Sequence, residues 1–240
     1  MSDVTQPTVN KEAKRFQNPF PEVEDWGLIS YTAAFEKQKQ YVEELVRGER
    51  GETIVFCHHP PVVTLGRGTK PGDVFAWKGE TVEVNRGGRA TYHGPNQVVM
   101  YPLVDLGGNT PNYISKKEKS LHGYMRILED SAIQTIREYE VEAEGHTMQK
   151  QVGEDEATEA TGVWVGKQKL ASIGIAVKKW VTHHGIAINL FKDEEAFQGI
   201  NPCGFTTKTM VSLQELTKKR VKRETFQKEL ASNFIFSLYS

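Results

Sequence analysis

Apolar positions along the chain recur with two different periods. Tyr31, Ala34, Phe35, Tyr41, Val42 and Leu45 return at roughly helical steps, with Gly48 beyond them as a stop, which predicts a helix over 31–46. The strongest helical pattern runs from Ser120 to Tyr139, on Leu121, Tyr124, Met125, Leu128, Ala132, Ile136 and Tyr139. Phe226, Leu230, Phe234 and Leu238 predict an amphipathic helix over 224–239, and Ser212 with Glu215 at the capping-box position predicts a short one to Thr217. Elsewhere the apolar residues cluster in short β-branched and aromatic runs. Thr53–Cys57, Val62–Leu65, Thr81–Val84 and Val98–Val104 read as strands. Thr161–Val165 and Lys169–Val177 flank Gly166-Lys167-Gln168 as a hairpin, and Trp180–Leu190 supplies the next strand. Phe191–Gln198 reads as a short helix or turn, and Ile200–Phe205 as a tight non-helical segment.

Strands and helices mix without regular alternation, which points to an α+β fold with one main sheet and helices packed on it. The first 22 residues are polar, with prolines at 7, 19 and 21, and read as an N-terminal extension before a single domain over 23–240. Gly107–Asn112 reads as a loop, and the acidic stretch from Gly145 to Thr161 as an exposed one.

Composition narrows the function classes. With 38% hydrophobic and 25% charged residues over 240 positions, the chain can bury a full core. A net charge of -1 supplies no general pull toward nucleic acid or anionic membrane. No apolar run reaches a membrane span and the first twenty residues carry no signal-peptide pattern, so the expectation is a cytoplasmic protein with no membrane partner. Cys57 and Cys203 are the only cysteines, which leaves two free thiols and no disulfide framework.

The chemistry-bearing stretch is Arg86-Gly87-Gly88-Arg89-Ala90-Thr91-Tyr92-His93-Gly94-Pro95-Asn96-Gln97. Its glycines and arginines suggest an anion loop, but it lacks the Walker lysine, and a strand rather than a helix follows it. The glycines therefore shape a pocket wall. Cys203 sits between Pro202 and Gly204, where a thiol can project and nearby N–H groups can stand free, which makes it the best nucleophile. Its activator is a lysine of the hairpin, Lys169 or Lys167, or one of His93, His183 and His184. The histidines are not spaced on one helix face and no CxxC or HExxH occurs, so no metal site is expected.

Together these motifs resemble the octanoyltransferases (lipoyl(octanoyl) transferases) of lipoate biosynthesis, within the biotin/lipoate protein ligase superfamily. Arg86 to Pro95 with Gln97-Val98-Val99-Met100-Tyr101-Pro102 is similar to the family signature. Gly166 to Gly174 looks like its lysine hairpin, His184 to Asn189 its substrate strand, and Ile200-Asn201-Pro202-Cys203-Gly204 its nucleophile turn. His59-Pro60-Pro61 and Val63 to Gly68 fit as well.

The resemblance implies an α+β fold around a mixed, mostly antiparallel sheet. It implies transfer of an octanoyl group from octanoyl-acyl carrier protein to a lysine of a lipoyl domain, on the glycine cleavage H protein or a 2-oxoacid dehydrogenase E2. It implies Cys203 as the nucleophile that becomes an acyl thioester and Lys169 as the residue that lowers the thiol pKa and shuttles protons. Arg86, Gly87, Gly88, Arg89, Ala90, Thr91, Tyr92, His93, Ser172, Ile173, Gly174, Gly185, Ile186 and Ala187 are implied to line the acyl and head-group site. No ATP or other cofactor is implied, and a monomer is expected. Basic residues such as Arg67, Lys70, Lys178 and Lys179 are expected to steer acidic partners. An ATP-dependent ligase of the same superfamily and a non-catalytic acyl-carrier or lipoyl-domain binding module are the alternatives. Alternating residues of Leu170–Val177 and Ile186–Leu190 are expected to supply an apolar slot.

Overall fold

Ten strands and four helices make up the described residues, which are 20–108, 120–146 and 161–239 of a computed structural model. In chain order they are β1 (Glu22–Leu28), α1 (Tyr31–Val46), β2 (Thr53–His58), β3 (Val62–Leu65), β4 (Glu80–Glu83), β5 (Thr91–His93) and β6 (Gln97–Leu103). Then follow α2 (Leu121–Arg137), β7 (Glu144–Gly145), β8 (Gly162–Val165), β9 (Gln168–Lys178), β10 (Val181–Asn189), α3 (Leu213–Leu216) and α4 (Arg223–Tyr239). Seven strands form one sheet in the order β1-β2-β6-β10-β9-β8-β7, and β4-β3-β5 form a smaller one. Only β1–β2 and β3–β4 pair in parallel, so the fold is α+β with a mixed, mostly antiparallel sheet.

Period-two alternation gives the large sheet two apolar faces. Ile54, Phe56, Val98, Met100, Ile186 and Ile188 pack with Leu128 and Ala132 of α2 and with Phe226 and Leu230 of α4. Their neighbours Val55, Cys57, Val99, Tyr101 and Ala187 pack with Tyr41, Val42 and Leu45 of α1. Ser30 caps α1 by accepting from the Ala33 N–H, and Gly48 at φ 73° ends it. Cys57 is buried in that second core, as a small apolar residue.

One break in the central pairing shapes the site. β10 and β6 pair antiparallel from Asn189↔Gln97 to Ile186↔Met100, and the register resumes at Val181↔Asp105. Continuing it places Pro102 opposite His184. Proline has no N–H to give the ladder. His184 takes φ 58°, and its own N–H donates to Gln38 Oε1 of α1 at 2.9 Å. Next to it, a Cβ on Gly185 would lie 2.1 Å from the Met100 carbonyl oxygen, so only glycine fits there.

The pattern reading missed β1, β5 and β7. β1 is an acidic edge strand with no clean alternation, and β5 lies inside the glycine-rich stretch. Gly145, read as the start of a loop, belongs to β7. Of the extension and the two polar loops, 1–19, 109–112 and 147–160 lie outside the described residues.

Candidate active site

Cys203 stands at the centre of a backbone reversal. It has φ 53° and ψ 25°, and Gly204 follows at φ 83°. A left-handed non-glycine residue is uncommon and marks a place where the surroundings impose the conformation. Those surroundings are specific: the Cys203 N–H donates to Ala90 O at 2.9 Å, the Asn201 N–H to Asp73 O at 2.8 Å, and Asn201 Nδ2 to Gly72 O at 3.1 Å. The N–H groups of Gly204 and Phe205 donate to Asn201 O and Pro202 O, each at 3.0 Å. The sequence suggested unpaired N–H groups at this turn. Instead the Cys203 N–H is used by Ala90 O and those of the two following residues are used inside the turn.

The hairpin separates its two lysines. Lys167 is exposed at the β8–β9 turn, whereas Lys169 is 1% exposed. The β8–β9 register runs Gly162↔Ser172 and Val163↔Ala171, then shifts to Trp164↔Lys169. That one-residue bulge sends Leu170 and Ala171 into the main core and turns Lys169 to the opposite face. Gly162 gives the lysine stem clearance, since a Cβ there would stand 3.0 Å from Lys169 Cε.

Cys203 and Lys169 line one cavity of about 480 Å³, counting its open mouth. Arg86, Gly88, Thr91 and His93 form part of its wall, and Ser172, Ile173, Gly174, Gly185, Ile186 and Ala187 another part. Gly87, Arg89, Ala90 and Tyr92 do not line it. β5 alternates, so Thr91 and His93 face the cavity while Tyr92 faces away, its hydroxyl donating to Asp193 Oδ2 at 3.1 Å. Arg89 pairs with Asp73. Burial works to raise the Asp73 pKa, but the Arg89 guanidinium and the Lys70 N–H outweigh it and hold the carboxyl below its ordinary value.

The Arg86 guanidinium is engaged by its own loop and by β3. Its guanidinium donates to Gly87 O (2.9 Å), Arg89 O (3.0 Å), Thr64 O (3.2 Å) and Thr64 Oγ1 (2.7 Å). Gly66 and Gly174 leave the space it occupies, with hypothetical Cβ atoms 2.8 Å from Arg86 Nη1 and 2.9 Å from Arg86 Cδ. The loop around Arg86 is therefore a built frame whose glycines pack against an internal arginine.

The apolar slot expected from β9 and β10 is narrower than their sequences suggest. Leu170, Ala171, Ile188 and Leu190 belong to the main core. Sequence reasoning also missed Tyr31, Val99, Tyr101 and Thr161, which line the cavity together with His184. Tyr31 shows in the sequence only as the first apolar position of α1.

The histidines sort by burial. His59 Nδ1 lies 2.8 Å from Ile29 O, a pure acceptor, so Nδ1 carries the proton and Nε2 accepts from the Tyr101 hydroxyl at 2.9 Å. Burial holds His59 down to about 4 despite that carbonyl bond. His184 Nδ1 accepts from the Tyr31 hydroxyl at 3.2 Å, with Nε2–H toward Asn85 Oδ1 at 3.3 Å. Burial, a neighbouring histidine and Arg86 keep His93 and His184 well below their ordinary value. His183, held to about 4 by burial, does not line the cavity. These rings are neutral near pH 7. Among the groups weighed as activators of Cys203, Lys169, His93 and His184 are buried and line the cavity, whereas Lys167 and His183 do not line it.

Known proteins are similar to this chain in sequence and in fold. Residues 30–235 match the model of the lipoyl protein ligase A/B catalytic domain. An octanoyltransferase of Bdellovibrio bacteriovorus is 44% identical over 208 residues, covering 86% of this chain and 94% of its own. One of Geobacter metallireducens is 36% identical over 216 residues, covering 90% and 92%. In three dimensions the chain is similar to a lipoate-protein ligase A bound with ATP, with TM-score 0.66 at 12% identity, over 92% of this chain and 86% of the other. It is also similar to a bi-partite lipoate protein ligase of Thermoplasma acidophilum, with TM-score 0.64 at 13% identity, over 92% and 84%.

Proposed function

The chain belongs to the lipoyl protein ligase A/B catalytic-domain family and is an acyltransferase; from that premise we propose that it moves an octanoyl group from an acyl-carrier thioester to a lysine of a lipoyl domain, through a thioester on Cys203. The observation that carries the reading is the shared cavity of Cys203 and the buried Lys169.

The thiol of Cys203 passes its proton to the Lys169 amine, and the thiolate attacks the carbonyl of the donor thioester. The tetrahedral adduct collapses, the C–S bond to the carrier breaks, and the carrier's thiolate takes the proton from Lys169. Octanoyl-Cys203 and a neutral Lys169 remain. The neutral ε-amine of the acceptor lysine then attacks the new thioester. Lys169 takes the proton the amine loses, the bond to Cys203 breaks, and an amide and a thiolate–ammonium pair result. The exchange is between thioesters and ends in an amide, so it needs no nucleotide. The small residues Ser172, Gly174, Gly185 and Ala187 are the part of the wall along which the acyl chain would lie.

Incubation with octanoyl-acyl carrier protein without ATP tests the reading by mass spectrometry. A gain of one octanoyl group, absent from Cys203→Ala, is expected. No adduct on the wild-type chain, with modification of a lipoyl domain only when ATP is added, would establish the ligase reading instead. A binding module would give neither adduct nor turnover.

A further inference from the structure

Lys169 ends among aromatic rings that the reaction above does not use. Its Nζ lies 5.4 Å from the centroid of the Trp164 ring and 5.6 Å from that of Phe205. The two rings meet edge to face, with centroids 5.2 Å apart and planes at 79°. His146 stacks on Trp164 at 5.2 Å and 13°. Both distances from the lysine fall within the reach of a cation–π contact.

Neither ring is there by accident of packing. Without the β8–β9 bulge, the register set by Val163↔Ala171 would pair Trp164 with Leu170, and Lys169 would point to the other face of the sheet from Trp164. The bulge is what brings lysine and indole together. Phe205 comes from the opposite side: the left-handed pair Cys203–Gly204 reverses the chain, and the Phe205 N–H closes the turn on Pro202 O at 3.0 Å. The same reversal that presents the thiol therefore carries the second ring back to the lysine.

We propose that Trp164 and Phe205 are positioning residues, an aromatic seat that holds the cationic form of Lys169 in register with Cys203. The proposal rests on the reading of Lys169 as the partner of the thiol. The seat acts in two ways. A π face attracts an ammonium without accepting its proton and without pairing it so tightly that it leaves the sulfur. And because Phe205 is two residues from the thiol, movement of the turn moves seat and nucleophile together.

The test measures the pH–rate profile of Cys203 alkylation by iodoacetamide, and the octanoyl-transfer kcat and KM, in purified full-length chain. Phe205→Leu keeps the apolar volume and loses the π face; Phe205 is half-buried, so this change does not threaten the core. Phe205→Leu and Trp164→Leu are expected to slow alkylation near neutral pH, move the profile to higher pH and lower kcat about 3- to 30-fold, with KM for the carrier little changed. Phe205→Tyr and Trp164→Phe are expected to keep most of the wild-type profile. Leucine variants that match the wild type would overturn the proposal. So would leucine and aromatic variants impaired alike, because packing would then account for the loss. A Lys169→Ala profile identical to wild type would overturn the role of Lys169 itself, and the seat with it. A Lys169→Ala shift alongside unshifted leucine variants would overturn the seat alone.

Discussion

The backbone N–H of Cys203 donates to the carbonyl of Ala90 at 2.9 Å, so the turn that carries the thiol hangs on the glycine–arginine stretch. Two segments more than a hundred residues apart in sequence meet there. The stretch thus holds the turn of Cys203 as well as walling the cavity.

The Arg89–Asp73 pair extends that support, because the Asp73 carbonyl accepts from Asn201 at 2.8 Å. Arg89→Ala leaves a carboxylate whose side chain is 1% exposed without its cation, and is expected to cost about 3 kcal/mol. Urea unfolding reads the loss, and the rate of Cys203 alkylation reads the loosened turn. An unchanged unfolding midpoint would mean that the pair contributes nothing to this loop.

Arg86→Lys keeps a positive charge and loses the planar fork that reaches Thr64, Gly87 and Arg89 together. The expected result is a destabilisation of roughly 2–3 kcal/mol with a large fall in transfer. If instead the lysine variant kept its stability and lost only affinity for the donor, Arg86 would be a ligand contact rather than a frame.

Alternation in β5 separates two neighbours. Tyr92→Phe removes a hydrogen bond to Asp193, outside the cavity wall, and is expected to cost about 1 kcal/mol of stability and leave kcat near wild type. His93→Ala removes a wall residue stacked on Tyr31 at 5.4 Å, and is expected to reduce transfer while iodoacetamide still reaches Cys203. Equal effects of the two changes on kcat would contradict the placement of β5.

Glu52 gives the fold a pH dependence. Burial raises its carboxyl to about 7, although the Tyr239 hydroxyl and the Asp105 N–H oppose the shift. A raised folded pKa means that the native state keeps a proton the unfolded chain has lost. The contribution to stability is therefore full below about pH 4.5 and is lost as pH rises through 7, by up to about 3 kcal/mol. Glu52→Gln is expected to remove this slope, so wild type and variant diverge between pH 5 and 8 in thermal melts. Parallel curves over that range would show that the carboxyl titrates normally.

Much of this was legible in the sequence, and the failures share a cause. Helical spacing located α1, α2 and α4, and β-branched runs located the central strands, because each buries a continuous apolar face. Cys203 and Lys169 were legible as motif residues. That Lys169 rather than Lys167 enters the cavity was implied only by resemblance, because a bulge decides it and a bulge leaves no mark in an apolar pattern. Arg89, read as a wall residue, pairs with Asp73 away from the cavity, because charge beside glycine reads the same whether its partner is a substrate or another side chain. Tyr31 and Tyr101 were invisible as site residues, since a tyrosine on an apolar face reads as core.

The gap opposite Pro102 has a consequence for how such a pocket can change. The floor beside His184 and Gly185 is set by main-chain atoms, a proline that cannot donate and a glycine that cannot grow. A side chain at Gly185 would run into the Met100 carbonyl, so that position cannot retune the pocket. Shifts in what the cavity accepts are then left to side chains on its other walls, such as Tyr31, Val99, Ile173 and Ile186, set around a base of main-chain atoms.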